Sequence, residues 1–242
     1  MEFIDIHTHI LPAVDDGAQT LEESLALLEE EKKQGITHVA VTPHFSPYEN
    51  DIDEHITAAE NALGILKTAA AGKDLPRIIL GCEILYFYGI GSAEDISRLA
   101  MRGTPYILIE FGGVAFDDQI CGDLLKIKER YGLIPIIAHT ERYKDHKGYK
   151  KLLKTAERGG FLIQVNAGSV LGGVYHRAAL KLIKKGTAHF IASDCHSMSA
   201  RPPQIKQALA EIESRFGRHA AARLQLNSQK LAEETGKIID AQ

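Results

Sequence analysis

The chain has 242 residues, 45% apolar and 25% charged, as in globular proteins with a sizeable core, and its net charge of −4 gives no general attraction to nucleic acid or anionic membranes. It has no apolar run of eighteen residues, no signal-peptide pattern and only three cysteines, which lack Cys-x-x-Cys spacing. We therefore expect a cytoplasmic protein that neither binds nucleic acid nor inserts into a membrane.

Short apolar runs alternate along the chain with longer amphipathic segments. The runs predict seven strands, at residues 2–9, 37–44, 77–85, 105–111, 134–141, 161–166 and 189–196. The segments between them predict helices, at residues 20–34, 53–71, 92–102, 118–131, 147–158, 174–185 and 203–216. The tail after about Leu224 predicts one or two more helices, with Asn227 or Ser228 as a cap. This order indicates a parallel α/β fold, for which a barrel and an open doubly wound sheet are both suitable.

Histidines or acids lie at the ends of six of the seven predicted strands. The carboxyl ends of parallel strands are where ligands gather, and alternate residues of a strand share a side. With one aspartate from the first loop, the candidate metal ligands are His7, His9, Asp16, His44, Glu83, Glu110, His139, Asp194 and His196. A buried structural role explains any single member equally well, but nine candidates predict two or three divalent ions. Imidazoles and carboxylates without thiolates suit manganese, iron or zinc.

Two arginines follow candidate ligands along the chain. Arg142 lies three residues after His139, and Arg201 lies seven residues after Asp194. Exposed arginines are usually solvated charges, but the planar guanidinium group also matches phosphate oxygens, and we predict that both bind phosphate. Three divalent ions would outweigh the four candidate carboxylates and favour a dianionic substrate. The residues therefore predict metal-assisted hydrolysis of a phosphoester.

A cysteine mechanism is the competing interpretation of the same segment. Cys195 and Arg201 match the C-x5-R spacing of cysteine-dependent phosphatases. That chemistry needs a thiolate of low pKa and a loop whose backbone amides surround the phosphate, normally helped by glycine. The five intervening residues, HSMSA, contain no glycine, and strand alternation turns Cys195 away from His196. We expect Cys195 to have no catalytic role.

Motifs along most of the chain resemble a known superfamily. They are DIHTHILPAVDDGAQT, QGITHVAVTPH, GCEI, YILIEF, IPIIAHTERY, AGSVLGG, and HFIASDCH followed by SARPP. The resemblance is to the PHP (polymerase and histidinol phosphatase) superfamily, and more narrowly to its bacterial protein-tyrosine phosphatases. It implies a single domain over residues 1–242, folded as a distorted (β/α)7 TIM-like barrel. It also implies a trinuclear site that is often loaded with manganese.

The resemblance also implies how the ligands divide among three ions. His7, His9, Glu83 and Asp194 would hold the first ion. Glu83 would bridge to a second ion, which Glu110 and His139 complete, and Asp16, His44 and His196 would hold the third. Asp15 is expected to be a bystander. Phe45 departs from the family pattern, at the start of the substrate-facing loop 45–52.

The implied substrate is a phosphotyrosine protein, specifically a bacterial tyrosine kinase of capsule or exopolysaccharide export. Arg142 and Arg201 match the family's phosphate-binding arginines. Tyr48 and Tyr143 are predicted to contact the substrate's phenyl ring, although packing at the rim explains them equally well. His196 is predicted to help protonate the leaving phenolate.

Two other functions remain open at this point. One is a phosphatase for small phosphomonoesters of the histidinol-phosphate type, which would use the same metal site with different substrate loops. The other is a PHP-like scaffold that binds metal without catalysis. Turnover of a phosphotyrosine peptide, of histidinol phosphate and of a generic aryl phosphate distinguishes the three.

Overall fold

The computed structural model describes residues 3–239, with side chains described as far as Thr235. Its strands are β1 (Ile4–Thr8), β2 (His38–Val41), β3 (His44–Phe45), β4 (Arg77–Leu80), β5 (Glu83–Leu85), β6 (Tyr106–Glu110), β7 (Ile134–Ile137), β8 (Leu162–Asn166) and β9 (Phe190–Ala192). Its α-helices are α1 (Leu21–Lys33), α2 (Ile52–Ala70), α3 (Asp118–Tyr131), α4 (Tyr149–Gly159), α5 (Ala167–Leu171), α6 (His176–Lys184), α7 (Ile205–Phe216) and α8 (Arg218–Ile239). No helix in this described part is long and apolar enough to cross a membrane.

All the paired strands are parallel, in two sheets of order β1-β2-β4 and β3-β5-β6-β7-β8-β9. The second and third predicted runs are each interrupted, so each contributes one strand to either sheet. Pro43 interrupts the second run because it has no backbone N–H to donate. Beyond β9 the chain returns to β1, where the amide of His9 donates to the carbonyl of Cys195 over 2.9 Å. The fold is α/β, with parallel strands and connecting helices.

Two apolar clusters hold the strands in place. The larger one packs the strands against the surrounding helices and contains most of the buried side chains. The smaller one joins Ile6 of β1 and Leu108 of β6 to Leu231 of α8. Because strand residues alternate between the two faces, β6 supplies Ile107 and Ile109 to the first cluster and Leu108 to the second. Both faces of the sheet are therefore buried, which explains the near-continuous apolar runs.

Two local predictions are wrong. Residues 92–102 form no α-helix but lie in two 3-10 turns, Ile90–Ser92 and Ile96–Leu99, and the left-handed Asp95 (φ 62°) interrupts them. Ser228 caps no helix, because α8 is continuous from Arg218 and the Ser228 hydroxyl bonds Ile4 of β1. The first five residues of the AGSVLGG motif form the short helix α5.

Candidate metal centre

The structure brings all nine predicted ligand side chains together at the carboxyl ends of the strands. Glu83 lies at their centre and is 1% exposed. Its Oε2 is 3.1 Å from His7 Nε2, 3.3 Å from His9 Nε2 and 3.0 Å from His44 Nδ1. Its Oε1 is 2.9 Å from His139 Nε2. One carboxylate therefore faces four imidazoles, as expected for a bridging ligand.

The donor atoms converge in three overlapping groups. The first contains His7, His9 and Asp194; the second contains His44, Glu83 and Glu110; the third contains His9, Asp16, His44 and His196. His139 lies beside the second group, with its Nε2 3.6 Å from Glu110 Oε2. The groups differ from the predicted division, in which each histidine holds one ion and Glu83 joins the first group. His9 belongs to both the first and the third group. His44 belongs to both the second and the third, facing Asp16 with Nε2 and Glu110 with Nδ1.

The spacing of these atoms fits a divalent ion between them. Ligands about 2.1 Å from a tetrahedral ion lie about 3.4 Å from one another. His7 Nε2 and His9 Nε2 are 3.1 Å apart, and each is 3.6 Å from Asp194 Oδ1. Glu83 Oε2 and His196 Nε2 are buried without a well-aligned hydrogen bond, although acids and imidazoles surround them. Donors that point at a shared position rather than at each other suit metal coordination.

The facing charges shift the pKa values of the candidate ligands strongly. Burial alone would lower the pKa of His9 and His139, but hydrogen bonds to carboxylates raise both to about 9. The same balance raises the pKa of His44 to about 11. Burial favours the neutral form of Glu110, yet hydrogen bonds from His139 and His44 lower its pKa to about 2. A divalent ion, which binds neutral imidazoles and ionised carboxylates, would displace protons from these histidines.

His196 behaves differently from the other imidazoles. Burial, and then the positive charges of His9 and Arg201, lower its pKa to about 4. His196 is therefore uncharged at neutral pH, which suits a metal ligand and disfavours its predicted role as an acid for the leaving phenolate.

Two ligand positions have strained backbones. His139 has φ 27° and Asp194 has φ 52°, in the left-handed region that non-glycine residues rarely adopt. Each lies where the chain leaves its strand, so the strain turns the side chain towards the other ligands. Such strain costs about 1–3 kcal/mol per residue and is concentrated at functional sites.

Asp15 is not the bystander that the sequence suggested. Its Oδ2 lies 2.7 Å from His9 Nδ1 and accepts a hydrogen bond from the amide of His44 over 3.1 Å. Its Oδ1 accepts from the amide of Gly17. A carboxylate on the far nitrogen of a ligand histidine fixes the ring and makes it a stronger ligand. The D-D-G pattern alone does not show which aspartate faces His9.

The prediction that Tyr143 binds substrate is wrong. Tyr143 is 2% exposed, and its hydroxyl accepts from the amide of Phe111 over 2.9 Å. The same hydroxyl lies 3.1 Å from His139 Nδ1. Tyr143 therefore orients a candidate ligand and has no surface left for a substrate ring. Tyr48, the other predicted ring contact, is 76% exposed on the loop after β3.

Strand β8 contributes two amides that support the ligands. Gln164 Oε1 accepts from the amide of His139 over 2.5 Å and lies 3.4 Å from His7 Nδ1. Gln164 Nε2 donates to Asn166, whose Nδ2 donates to Asp194 Oδ2 over 2.5 Å. This chain of hydrogen bonds links candidate ligands that follow three different strands.

Both predicted phosphate-binding arginines contact Asp194. Arg142 Nη2 is 2.7 Å from Asp194 Oδ2, and Arg201 Nη2 is 2.5 Å from Asp194 Oδ1. The two guanidinium groups line a pocket of about 400 Å³ together with Asn166, Ser169 and other residues. We call it the phosphate pocket. Asp194 also lines this pocket, so an anion bound there would lie beside the candidate metal ligands.

Cys195 lies outside this pocket. It is fully buried, and its Sγ points to Glu31 Oε1 at 3.9 Å. Burial raises the pKa of the thiol well above its usual range, so it is not an activated nucleophile.

Comparisons with known proteins agree with this geometry. Residues 3–233 match the family described as capsular polysaccharide synthesis, CpsB/CapC. The tyrosine-protein phosphatase YwqE of Bacillus subtilis (strain 168) is 32% identical over 241 residues, covering 94% of this chain and 91% of YwqE. The tyrosine-protein phosphatase CpsB of Streptococcus pneumoniae is 32% identical over 232 residues, covering 91% and 94%.

A solved structure agrees over nearly the whole chain. It comes from crystal structures of YwqE from Bacillus subtilis and CpsB from Streptococcus pneumoniae, described as unique metal-dependent tyrosine phosphatases. It superposes with a TM-score of 0.83 at 29% identity, covering 96% of this chain and 94% of that one. The resemblance inferred from the sequence is confirmed, and the chain belongs to the CpsB/CapC family of capsular polysaccharide synthesis.

Proposed function

We propose that this chain is a metal-dependent protein-tyrosine phosphatase. The observation that carries the proposal is the position of Arg142 and Arg201, which line the phosphate pocket while contacting Asp194 of the ligand cluster. A dianionic phosphate bound by the two arginines would lie against the ions. The relatives named tyrosine-protein phosphatases support the substrate class.

The cluster is proposed to hold two or three divalent ions, with manganese preferred and iron or zinc as alternatives. The support is the mixed set of imidazole and carboxylate donors in three overlapping groups. As part of the same proposal, the strands form a distorted seven-unit (β/α) barrel and residues 1–242 form one domain. The interrupted runs β2–β3 and β4–β5 each count as one unit in that barrel.

The protein groups have separate tasks in the proposed reaction. Bound ions would supply Lewis acidity and lower the pKa of a water molecule that attacks phosphorus. Among the described contacts, each guanidinium reaches Asp194 through a single nitrogen, which leaves further N–H donors for phosphoryl oxygens. Asp194 fixes both arginines before substrate arrives, so they need not reorganise as charge develops.

The proposed substrate is a phosphotyrosine protein, with a bacterial tyrosine kinase of polysaccharide export as the partner. Tyr48, exposed on the loop after β3, is available to contact the phenyl ring of the substrate. The cytoplasmic location expected from the sequence stays part of this proposal.

A comparison of substrates tests the function. With saturating manganese, the protein should hydrolyse a phosphotyrosine peptide with at least a hundredfold higher kcat/KM than histidinol phosphate. A preference for histidinol phosphate would assign the small-molecule phosphatase function instead. No turnover of either substrate or of para-nitrophenyl phosphate would favour the scaffold.

Arginine variants test the phosphate pocket. Arg142→Ala and Arg201→Ala should each lower kcat/KM on the peptide by about 10²–10³-fold, the usual loss for one transition-state donor. Arg102→Ala is the control, because Arg102 is a surface arginine outside the phosphate pocket that also bonds a carboxylate, Glu60. Variants of Arg142 and Arg201 that retain wild-type activity would contradict the assignment.

A further inference from the structure

A second, larger cavity lies outside the metal centre, between α4 and α6. It has a volume of about 690 Å³, and we call it the basic groove. Its lining contains six cationic side chains and no acidic one; the cations are Lys144, Lys150, Lys154, Arg177, Lys181 and Lys185. A groove of this composition favours an anionic occupant.

The charge of this region is opposite to that of the rest of the chain. Residues 144–187 contain ten lysines and arginines but only two acids, Asp145 and Glu157. The whole chain contains 28 basic and 32 acidic residues, which leaves 18 basic and 30 acidic residues elsewhere. The net charge of −4 therefore conceals a strongly positive surface within an acidic protein.

Most cations of the basic groove form no ion pair with another described side chain. Lys144 Nζ lies 3.0 Å from the exposed carboxylate of Asp145. Within residues 3–239, the other five cations form no ion pair, and all six side chains are exposed. Like charges gathered along two facing helices repel one another, and an anionic ligand would relieve that repulsion.

The floor of the groove is apolar. Tyr149 and Leu153 of α4 are half-buried there, and Leu182 of α6 is buried. A concave surface with an apolar floor and cationic walls fits an extended polypeptide carrying acidic and apolar side chains. A membrane surface would instead need a flat or protruding basic face.

The basic groove begins beside the phosphate pocket. Arg142 lines the phosphate pocket, and Lys144, two residues later, lines the groove. Likewise, Tyr175 lines the phosphate pocket and Arg177, two residues later, lines the groove. Helices α4 and α6 follow the neighbouring strands β7 and β8, so both helices start at the face that carries the metal centre. An eleven-residue helix is about 16 Å long, which about five extended residues would span.

We propose that the basic groove binds an acidic segment of the substrate polypeptide that adjoins the phosphotyrosine. This inference rests on the proposed phosphatase function and adds a specificity site to it. Carboxylates within about ten residues of the phosphotyrosine would contact the lysines while the phosphate is held by Arg142 and Arg201. Substrates with acidic flanks are therefore selected over substrates with neutral flanks.

Charge reversal in the groove tests the inference. The variant Lys154→Glu/Lys181→Glu is compared with Lys67→Glu/Lys73→Glu, which changes the net charge equally at exposed lysines outside the groove. The substrates are a phosphotyrosine peptide with five flanking glutamates, the same peptide with glutamines, and para-nitrophenyl phosphate. The groove variant should lose at least tenfold in kcat/KM on the glutamate peptide, mainly through KM. On the other two substrates, its kcat/KM should stay within twofold of wild type. The control variant should stay within twofold of wild type on all three substrates.

Binding without catalysis provides a second readout. A fluorescent glutamate peptide without phosphate should bind the wild-type protein, with an affinity that falls as salt rises, and should bind the groove variant at least tenfold more weakly. Equal losses on all three substrates, or equal losses in the control variant, would overturn the inference. So would groove-dependent sedimentation with phosphatidylserine vesicles but no discrimination between the peptides. If no substrate is hydrolysed while the peptide still discriminates in binding, the proposed function fails and the groove assignment stands.

Discussion

Asp15 provides a quantitative test of how the metal centre is supported. Burial alone would raise its pKa, but the hydrogen bond and charge of His9 lower it from 3.8 to about 2. At 1.36 kcal/mol per unit, this difference corresponds to about 2 kcal/mol of interaction between the carboxylate and its surroundings. Losing a carboxylate behind a ligand histidine typically costs 10–100-fold in metal affinity, which is about 1.4–2.8 kcal/mol.

The substitution Asp15→Asn should therefore raise the manganese concentration for half-maximal activity by about 10–100-fold. At saturating manganese, kcat should return to within about threefold of wild type, because Asp15 positions His9 and does not contact substrate. Asp16→Asn, which removes a candidate ligand, should lower kcat even at saturation. Asp145→Asn, at an exposed aspartate, is the neutral control. A wild-type manganese titration for Asp15→Asn would refute the role given to this carboxylate.

Further substitutions address buried groups around the site. Tyr143→Phe should lower the free energy of unfolding by about 1–3 kcal/mol and weaken manganese binding, because a buried amide and His139 lose a partner; unchanged denaturation and titration would contradict this. Burial, and then a neighbouring carboxylate, raise the pKa of Glu31, so the folded state keeps a proton that the unfolded chain releases above about pH 4.3. The free energy of unfolding should consequently fall as pH rises above that value, so the urea midpoint should be lower at pH 8 than at pH 5. Glu31→Gln should reduce this difference between the two midpoints, whereas the exposed Glu29→Gln should retain it. Cys195→Ala should keep kcat/KM within about twofold, whereas lost activity that also resists chelators would revive the cysteine mechanism.

Much of the site could be predicted from the positions of polar residues in the sequence. His7 and His9 follow an apolar strand, and Asp194 and His196 do the same, so strand alternation gives each pair a common side. The fold then needs only to be parallel for the six strand ends to meet. The set of candidate ligands depends very little on the order of the strands, so it can be predicted from the sequence without the topology.

Contacts that depend on three-dimensional packing cannot be predicted from the sequence in the same way. Asp15 and Asp16 are adjacent in sequence, and only the loop geometry decides that Asp15 faces His9 Nδ1. Tyr143 follows Arg142 directly, and a 3-10 turn directs one side chain inward and leaves the other half-exposed. The spacing of residues in the sequence does not show which of two adjacent side chains points towards the site.

Charge presents a similar limit. The composition gives a net charge of only −4, because acids elsewhere in the chain cancel the cations of residues 144–187. Helices α4 and α6 are separated in sequence by β8 and α5, and the fold places their lysines along one groove. The average charge therefore reveals nothing of a local electrostatic site.

The most direct test of the metal-dependent mechanism is a manganese titration of chelator-stripped protein, with turnover of a phosphotyrosine peptide and bound metal measured together. Turnover should be absent without metal and should rise as two to three manganese ions bind per chain. Turnover that persists in the stripped protein, or that saturates with no metal bound, would contradict the assignment of the nine-residue cluster as the catalytic centre.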